Sequence, residues 1–323
     1  MQRDLFKAAV AAGLWVLIGI TAGAAAAADQ SLEFKRYFYS GDGVILLVNA
    51  KTDAVYHGRY RNRDGAYDPA AVAAIHQVFG ARYGQSDATI SLRLVEFLDL
   101  LEDRLRPGAK ILIVSGFRSP EYNQGLRDRG GIVAKASLHQ YGMAADIILE
   151  GVPARTVWDY VKDLHFGGAG YYHGTTVHLD VGPARFWDES SSKVRTDISD
   201  HNKSIKLIAD YDRYRRGEPM DLRFIQMTAF PIGVASNWTL ERMAESGGSQ
   251  QPMTVQPAWT GSDASDCRNF SSIEAMTGIG WRLPPTLPAG RYRICASFCQ
   301  RLWEAMPAEA CTPAFEVAVG AGP

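Results

Sequence analysis

Two histidines and two aspartates lie on short segments punctuated by glycine in the middle of the chain. His139 and Asp146 occur in the run Ser-Leu-His-Gln-Tyr-Gly-Met-Ala-Ala-Asp, and the run Val-His-Leu-Asp with His178 and Asp180 follows later. Imidazole nitrogens and carboxylate oxygens are the ligands of catalytic zinc ions, which take three protein ligands and leave a fourth position for water. Asp146 also stands in an apolar run, where a carboxylate is costly to bury without a partner. The pattern therefore favours a catalytic metal site.

Several further motifs frame these residues, and together they resemble a known family. The motifs are Ser115-Gly-Phe-Arg-Ser119, Ser137-Leu-His139, Gly142-Met-Ala-Ala-Asp146, Gly167-Gly-Ala-Gly-Tyr-Tyr172 and the run from Val177 to Trp187. In this order they resemble the D-Ala-D-Ala metallopeptidase branch of the superfamily that joins lysostaphin, D-Ala-D-Ala peptidases and Hedgehog. Within that branch they are most like the murein endopeptidase K subfamily. The resemblance spans residues 40–190.

The resemblance implies a cofactor and an activity. His139, Asp146 and His178 would be the three protein ligands of Zn²⁺. The activity would be zinc-dependent hydrolysis of amide bonds in the peptide stems or crosslinks of peptidoglycan, which is the expected partner. A D-Ala-D-Ala or L,D-type carboxypeptidase is one alternative. A zinc-containing protein that binds the cell wall without hydrolysing it is another.

Three further residues are candidates for substrate contacts. Arg118 could bind a substrate carboxylate or stabilise the oxyanion, because its planar guanidinium suits both. Tyr171 and Tyr172 are candidates for lining the groove that holds a peptide stem, with packing at a strand entry as the alternative.

The catalytic base departs from the pattern of the related branches. In relatives that cleave D-Ala-D-Ala, a glutamate stands three residues before the last histidine ligand, and other branches have a histidine two before it. Thr175 and Thr176 occupy these positions here, and neither can act as a base at neutral pH. Asp180 lies two residues after His178, on the same face of a predicted strand. We predict Asp180 as the base, with orientation of a metal ligand as its alternative role.

The elements that would position these residues form an α+β domain over residues 29–190. Apolar runs between turn residues predict strands at 32–39, 44–51, 110–115, 143–149 and 175–181. Capping residues and prolines predict helices at 68–79, 91–105, 119–130 and 153–164. A small mixed or antiparallel sheet with packed helices would then carry the zinc site.

The second part of the chain has a different pattern of predicted secondary structure. Residues 191–219 are predicted as a linker with a helical connector at 202–216. Residues 220–320 are predicted as an all-β, immunoglobulin-like sandwich with strands at 222–227, 291–297 and 313–319. A cell-wall or protein partner is the expectation for this domain, and the oligomeric state stays open.

All four cysteines fall within the predicted sandwich, namely Cys267, Cys295, Cys299 and Cys311. An even count in an exported protein indicates two disulfides. Cys295 and Cys299 in one extended strand would be about 13 Å apart, too far to bond each other. Each is therefore expected to pair with Cys267 or Cys311.

The N-terminal segment and the net charge indicate where the protein is located and which partners are unexpected. Residues 1–28 combine a short basic segment, an apolar run and Ala26-Ala-Ala28 before Asp29, which is typical of a cleaved signal peptide. We therefore predict export to the periplasm, with an N-terminal membrane anchor as the alternative. A net charge of −1 offers no electrostatic basis for binding nucleic acid.

Overall fold

The computed structural model describes residues 34–81, 89–131, 133–192, 198–243, 252–259 and 266–318. These residues belong to one compact unit, Glu33–Pro323. The predicted signal peptide at residues 1–28 lies outside the described ranges and stays a prediction, as do the domain boundaries. None of the helices in these ranges combines the length and the apolar surface that a bilayer span requires.

Four α-helices lie in the first half of the described chain, and side-chain caps mark the start of two of them. They are α1 (Pro69–Val78), α2 (Leu92–Leu105), α3 (Pro120–Asp128) and α4 (Ala154–Leu164). The Asp68 carboxylate accepts hydrogen bonds from two backbone N–H groups at the start of α1. Ser119 accepts one from Tyr122 N at the start of α3. Such caps satisfy backbone donors that have no partner within the helix. The four predicted helices are confirmed.

A seven-stranded mixed sheet supports these helices and carries the site. Its strands are β1 (Val44–Asn49), β2 (Val55–Arg59), β3 (Ile111–Ser115), β4 (Ala144–Leu149), β5 (Gly168–Tyr171), β6 (Val177–Asp180) and β7 (Arg185–Asp188). Their order is β2-β1-β3-β4-β6-β5-β7. The pairs β1–β3 and β5–β7 are parallel, and the other pairs are antiparallel. The structure thus confirms a mixed α and β architecture.

The strand predicted at 32–39 is wrong for its described part, because residues 34–39 form no strand. Tertiary contacts hold this segment instead. The Tyr37 ring packs 5.6 Å from that of Tyr211, measured between centroids. Phe38 N donates to the Asp212 carboxylate over 3.0 Å. Tyr37 and Phe38 therefore contact the second half of the chain, and the segment does not pair in a sheet.

Two further sheets follow in the second half. Their strands are β8 (Lys206–Ala209), β9 (Arg213–Arg215), β10 (Pro219–Ile225), β11 (Ile232–Ala235), β12 (Trp238–Met243), β13 (Met253–Val255), β14 (Cys267–Phe270), β15 (Ile279–Arg282), β16 (Gly290–Gln300), β17 (Glu309–Cys311) and β18 (Phe315–Ala318). One sheet has the order β15-β10-β8. The other contains eight strands, of which β12, β11, β17 and β18 all pair with β16. The immunoglobulin-like arrangement stays a prediction.

The helical connector predicted at 202–216 is wrong, because β8 and β9 occupy this segment. Ile205, Leu207 and Ala209 are buried, whereas Lys206 between them is exposed. This alternation has the period of a strand, in which successive side chains point to opposite faces. The antiparallel pairing of β8 with β10 satisfies its backbone groups and covers its apolar face.

Two disulfides cross-link the second half of the chain, Cys267–Cys299 and Cys295–Cys311. Cys295 on β16 lies directly opposite Cys311 on β17 in the register of the two strands. Both pairings fit the expectation that Cys295 and Cys299 each bond to one of the other two cysteines, which confirms the predicted disulfides.

Candidate metal centre and the cavity around it

The three predicted metal ligands converge at the centre of the seven-stranded sheet. Asp146 on β4 lies opposite His178 on β6 in the antiparallel register. His139 comes from a 3-10 helix, Leu138–Tyr141, that immediately precedes β4. His178 Nδ1 lies 2.9 Å from Asp146 Oδ1. His139 Nε2 lies 3.3 Å from His178 Nδ1 and 3.5 Å from Asp146 Oδ1. The sequence motifs therefore bring the three side chains into mutual contact.

Gly142 fixes the turn that carries His139 into β4. Its φ of 62° is in the left-handed region, which favours glycine. A Cβ atom at this position would lie 1.9 Å from the carbonyl oxygen of Thr89. A side chain here would therefore force the short helix that holds His139 or the segment at Thr89 to shift.

The outer nitrogen of each imidazole is hydrogen-bonded to the protein. His139 Nδ1 donates to the carbonyl oxygen of Gly116 over 2.7 Å. His178 Nε2 donates to Asp180 Oδ2 over 3.1 Å. With both protons used in this way, His139 Nε2, His178 Nδ1 and Asp146 Oδ1 face one another as lone-pair acceptors.

Three acceptors at such distances repel one another unless a cation or a proton lies among them. One candidate ligand atom from each of the three residues lies within 4.8 Å of the others. Two imidazoles and one carboxylate, oriented by hydrogen bonds on their outer sides, form a donor set suited to zinc. The side chains present therefore fit the predicted ion.

The electrostatics of the three side chains agree with this arrangement. Burial opposes ionisation of Asp146, but the adjacent His139 and His178 rings hold the pKa of its carboxyl well below the usual range. Burial lowers the pKa of His139 and so favours its neutral form. Burial also acts to lower the pKa of His178, but the adjacent Asp146 and Asp180 carboxylates outweigh it and raise that pKa. The cluster thus combines an ionised carboxylate with imidazoles whose proton affinities differ.

Asp180 lies behind the His178 ring, on the side away from Asp146. It is fully buried, and its Oδ2 accepts from both His178 Nε2 and Arg185 Nη2, the latter over 2.7 Å. Its Oδ1 accepts from Gly182 N over 2.9 Å. Of the two roles predicted for Asp180, these contacts favour orientation of His178. The role as catalytic base stays a prediction.

Arg118 lies beside the cluster, at the turn between β3 and α3. Its Nη2 donates to Asp146 Oδ2 over 2.6 Å, and its Nε donates to Ser115 Oγ over 3.0 Å. Its backbone N–H donates to the carbonyl oxygen of His139 over 3.2 Å. Arg118 therefore holds two of the candidate ligands in place, and its predicted contact with substrate stays a prediction.

A cavity of about 650 Å³ opens over the cluster. Arg118, His139, His178 and Tyr172 are among its lining residues. Tyr171 is absent from the described lining and instead packs against Trp158, with ring centroids 6.3 Å apart. Of the two tyrosines predicted to line a groove, the structure thus brings Tyr172 to the cavity and uses Tyr171 in packing.

Sequence reasoning gave no role to several residues at this site. The Trp187 ring lies 5.2 Å from that of His178, measured between centroids, and lines the cavity. Gly170 leaves room for it, because a Cβ there would lie 2.6 Å from the indole. The presence of Trp187 in the last motif was an available signal. Nothing in the sequence marked Glu189 or the lining residues that follow the motif.

Comparisons with known proteins match the part of the chain that carries the candidate site. The sequence model described as Peptidoglycan L,D-endopeptidase MepK matches residues 41–187. Peptidoglycan L,D-endopeptidase MepK of Escherichia coli is 32% identical over 145 residues, covering 45% of this chain and 79% of that protein. Probable peptidoglycan L,D-endopeptidase MepK of Haemophilus influenzae is 39% identical over 80 residues, covering 24% of this chain and 43% of that protein.

Among solved structures, VCBP3 domain 1 from Branchiostoma floridae aligns with 36% of this chain and 96% of its own. That alignment has a TM-score of 0.23 and 12% identity, too low to carry an argument. The sequence relatives confirm the resemblance drawn from the motifs. Residues 41–187 hold the cluster, part of the cavity lining and all the motifs, and through them the chain belongs to the MepK family of the D-Ala-D-Ala peptidase-like proteins.

Proposed function

We propose that this chain is a zinc-dependent endopeptidase that hydrolyses amide bonds in the peptide stems or crosslinks of peptidoglycan. The observation that carries the proposal is the cluster of His139, Asp146 and His178, of which His139 and His178 line the cavity. Its inward-facing atoms are three acceptors that require a cation or a proton among them. The relatives' names, peptidoglycan L,D-endopeptidase, supply the substrate class and the type of bond.

Each side chain has a distinct part in this proposal. Zinc, when bound, would polarise the scissile carbonyl and activate water at neutral pH. His139 and His178 would hold it as neutral ligands, and Asp146 would supply the negative charge. Asp180 would keep His178 in the tautomer that leaves Nδ1 free. Arg118, anchored on Asp146, would donate to a substrate carboxylate or to the oxyanion that develops during attack.

The proton acceptor has two candidates. Asp180 is one, although its carboxylate is occupied by His178, Arg185 and Gly182. Glu189 is the other, since it supplies the carboxylate among the described residues that line the cavity, and it is exposed. A base must come within hydrogen-bond reach of the proton that it removes. Glu189 is exposed in the cavity lining, whereas the Asp180 oxygens are already hydrogen-bonded, and substitution of each carboxylate separates the two.

A second candidate function is binding of the cell wall without hydrolysis. Thr175 and Thr176 stand where related branches have a glutamate or a histidine, which favours loss of the base. A carboxypeptidase is a further alternative, distinguished by the products that it releases. Export to the periplasm through residues 1–28 belongs to the proposal as well, because peptidoglycan lies outside the inner membrane.

The test is digestion of purified murein sacculi by the zinc-loaded protein, with mass analysis of the released muropeptides. We expect cleaved crosslinks or stems, and release of D-Ala alone would indicate a carboxypeptidase. His139→Ala, Asp146→Ala and His178→Ala should each lose most of the bound zinc and all turnover, because the site keeps only two ligands. His57→Ala, an exposed histidine on β2, is the matched control. Full zinc content with no turnover in the unaltered protein would support the non-hydrolytic alternative.

A further inference from the structure

The cavity over the cluster is built by two parts of the chain. Arg118, His139 and Trp187 line it from the region that matches the family, which ends at residue 187. Lys203, Lys206 and Gln226 line it from the segment around β8 and the end of β10. The family match therefore assigns nothing to this second group of lining residues.

Positive side chains outnumber negative ones among the described residues that line the cavity. Within this described lining, the cations are Arg118, Lys135, Arg185, Lys203 and Lys206, and the acidic residue is Glu189. Three of the cations are engaged within the fold, in the ion pairs Arg118–Asp146, Arg185–Asp180 and Lys135–Asp200. Within the described ranges, Lys203 and Lys206 form no such pair, and both are exposed. Their ammonium groups are therefore available to an anionic ligand.

Gln226 contributes a neutral hydrogen-bond donor to the cavity, and its backbone conformation is unusual. Its φ of 59° places a residue other than glycine in the left-handed region. Such conformations persist only where surrounding contacts impose them, and they concentrate at functional sites. The next residue supplies the contact here, because Met227 N donates to the Tyr141 hydroxyl over 3.0 Å. The fold thus holds Gln226 at the cavity against its backbone preference.

The same contacts tie these residues to the metal centre. Tyr141 is fully buried and shares a 3-10 helix with His139. Arg223 on β10 donates from Nη1 to the Tyr141 carbonyl oxygen over 3.0 Å. The end of β10 therefore has a fixed position relative to His139, which a binding subsite requires.

We propose that Lys203, Lys206 and Gln226 form a subsite that binds a carboxylate of the peptide stem, which we name the carboxylate subsite. The inference rests on the proposed function for the identity of the ligand, since stem peptides carry free carboxylates beside the amide that is cut. The two ammonium groups neutralise the carboxylate, and the Gln226 amide donates to it or to the peptide backbone. The subsite thereby selects stems with free carboxylates over stems whose carboxylates are amidated.

The test compares two peptides. One is a stem peptide with free carboxylates, and the other is the same peptide with every carboxylate amidated. Binding of both to the zinc-loaded full-length protein is measured by calorimetry, and KM and kcat are measured on a crosslinked muropeptide. The variants are Lys203→Gln, Lys206→Gln and the double substitution. Lys51→Gln, an exposed lysine in the turn between β1 and β2, is the matched control. Lys206→Arg keeps the charge and tests for rescue.

Because both lysines are exposed, each substitution should weaken binding of the free-acid peptide by roughly 3- to 10-fold. KM should rise by a similar factor, with kcat unchanged. The amidated peptide should bind weakly to every form, and Lys51→Gln and Lys206→Arg should behave as the unaltered protein. Added salt should reduce the difference between the two peptides.

The outcomes separate this proposal from the proposed function. Turnover with an unchanged KM in the double variant, or equal binding of the two peptides by the unaltered protein, would overturn the carboxylate subsite alone. Absence of turnover together with lysine-dependent binding of the free acid would overturn the hydrolytic function and keep the subsite. Melting curves of the variants check that the fold is retained.

Discussion

Replacement of Asp180 by asparagine probes how the protein holds His178. The Asp180 carboxylate accepts from His178 Nε2, from Arg185 and from Gly182 N, so all its contacts are with donors. An amide keeps one acceptor oxygen and turns an NH₂ group toward one of these donors. The His178 ring then loses the hydrogen bond that fixes its tautomer, or Gly182 and Arg185 lose theirs.

The magnitude follows from these contacts. Loss of a hydrogen bond behind a metal-binding histidine weakens metal affinity by roughly 10- to 100-fold, or about 1.4–2.8 kcal/mol. Asp180 is fully buried, but the Arg185 side chain is 38% exposed, so water partly screens that ion pair. We therefore expect the free energy of unfolding to fall by about 1–3 kcal/mol, less than the 3–5 kcal/mol typical of a broken buried pair.

The assay is a titration of activity against free zinc, with zinc affinity measured separately by chelator competition. If Asp180 orients His178, Asp180→Asn should need more zinc and recover near-normal turnover at saturation. Asp159→Asn, an exposed carboxylate paired with Arg155 on α4, is the matched control. Unchanged zinc affinity with turnover reduced by roughly 10²–10⁴-fold at saturating zinc would refute this reasoning and identify Asp180 as the base. Glu189→Gln should show that second pattern if Glu189 is the base.

Three further predictions test the fold. Burial raises the pKa of the Asp99 carboxyl to about 7, so the folded chain holds more protons than the unfolded chain between about pH 4 and pH 7. Stability should fall by up to about 4 kcal/mol as pH rises through this window, and Asp99→Asn should flatten the fall in urea unfolding. Gly142→Ala should lower both the melting temperature and the zinc content, because its Cβ would meet the Thr89 carbonyl; unchanged zinc content would contradict this. Replacing Cys295 and Cys311 together by alanine opens a loop of sequence separation 16 and should cost about 3 kcal/mol of stability, measured by denaturant unfolding. A loss below about 1 kcal/mol would show that this bridge constrains little.

Local sequence signals determined much of the first half. Asp68-Pro69 and Ser119-Pro120 predict helix starts because a side-chain acceptor and a fixed φ act within one turn of the chain. The apolar runs that form β1, β3, β4 and β6 were also predictable from sequence, since an alternating or continuous apolar pattern is a property of a few adjacent residues. The spacing of Cys295 and Cys299 excluded a bond between them for the same local reason.

Only the tertiary structure decided the elements whose partners are distant in sequence. Strands form within residues 202–216 because β8 pairs with β10 and β9 pairs with β18. The composition of the segment alone does not predict this pairing. The failure of the strand predicted at 32–39 has the same cause, since Tyr37 and Phe38 pack on residues 211–212.

Some features of the candidate site were likewise predictable from sequence, and others depended on the tertiary structure. Motif order predicted His139, Asp146 and His178 as a ligand set, because their residue types and spacing belong to the chain itself. The face that each side chain presents depends on strand register and on neighbouring rings. Register and packing therefore directed Asp180 to the outer nitrogen of His178, brought Tyr172 rather than Tyr171 to the cavity, and added Lys203 and Lys206 to its lining. These outcomes arise from contacts between distant segments, and such contacts exist only once the chain has folded.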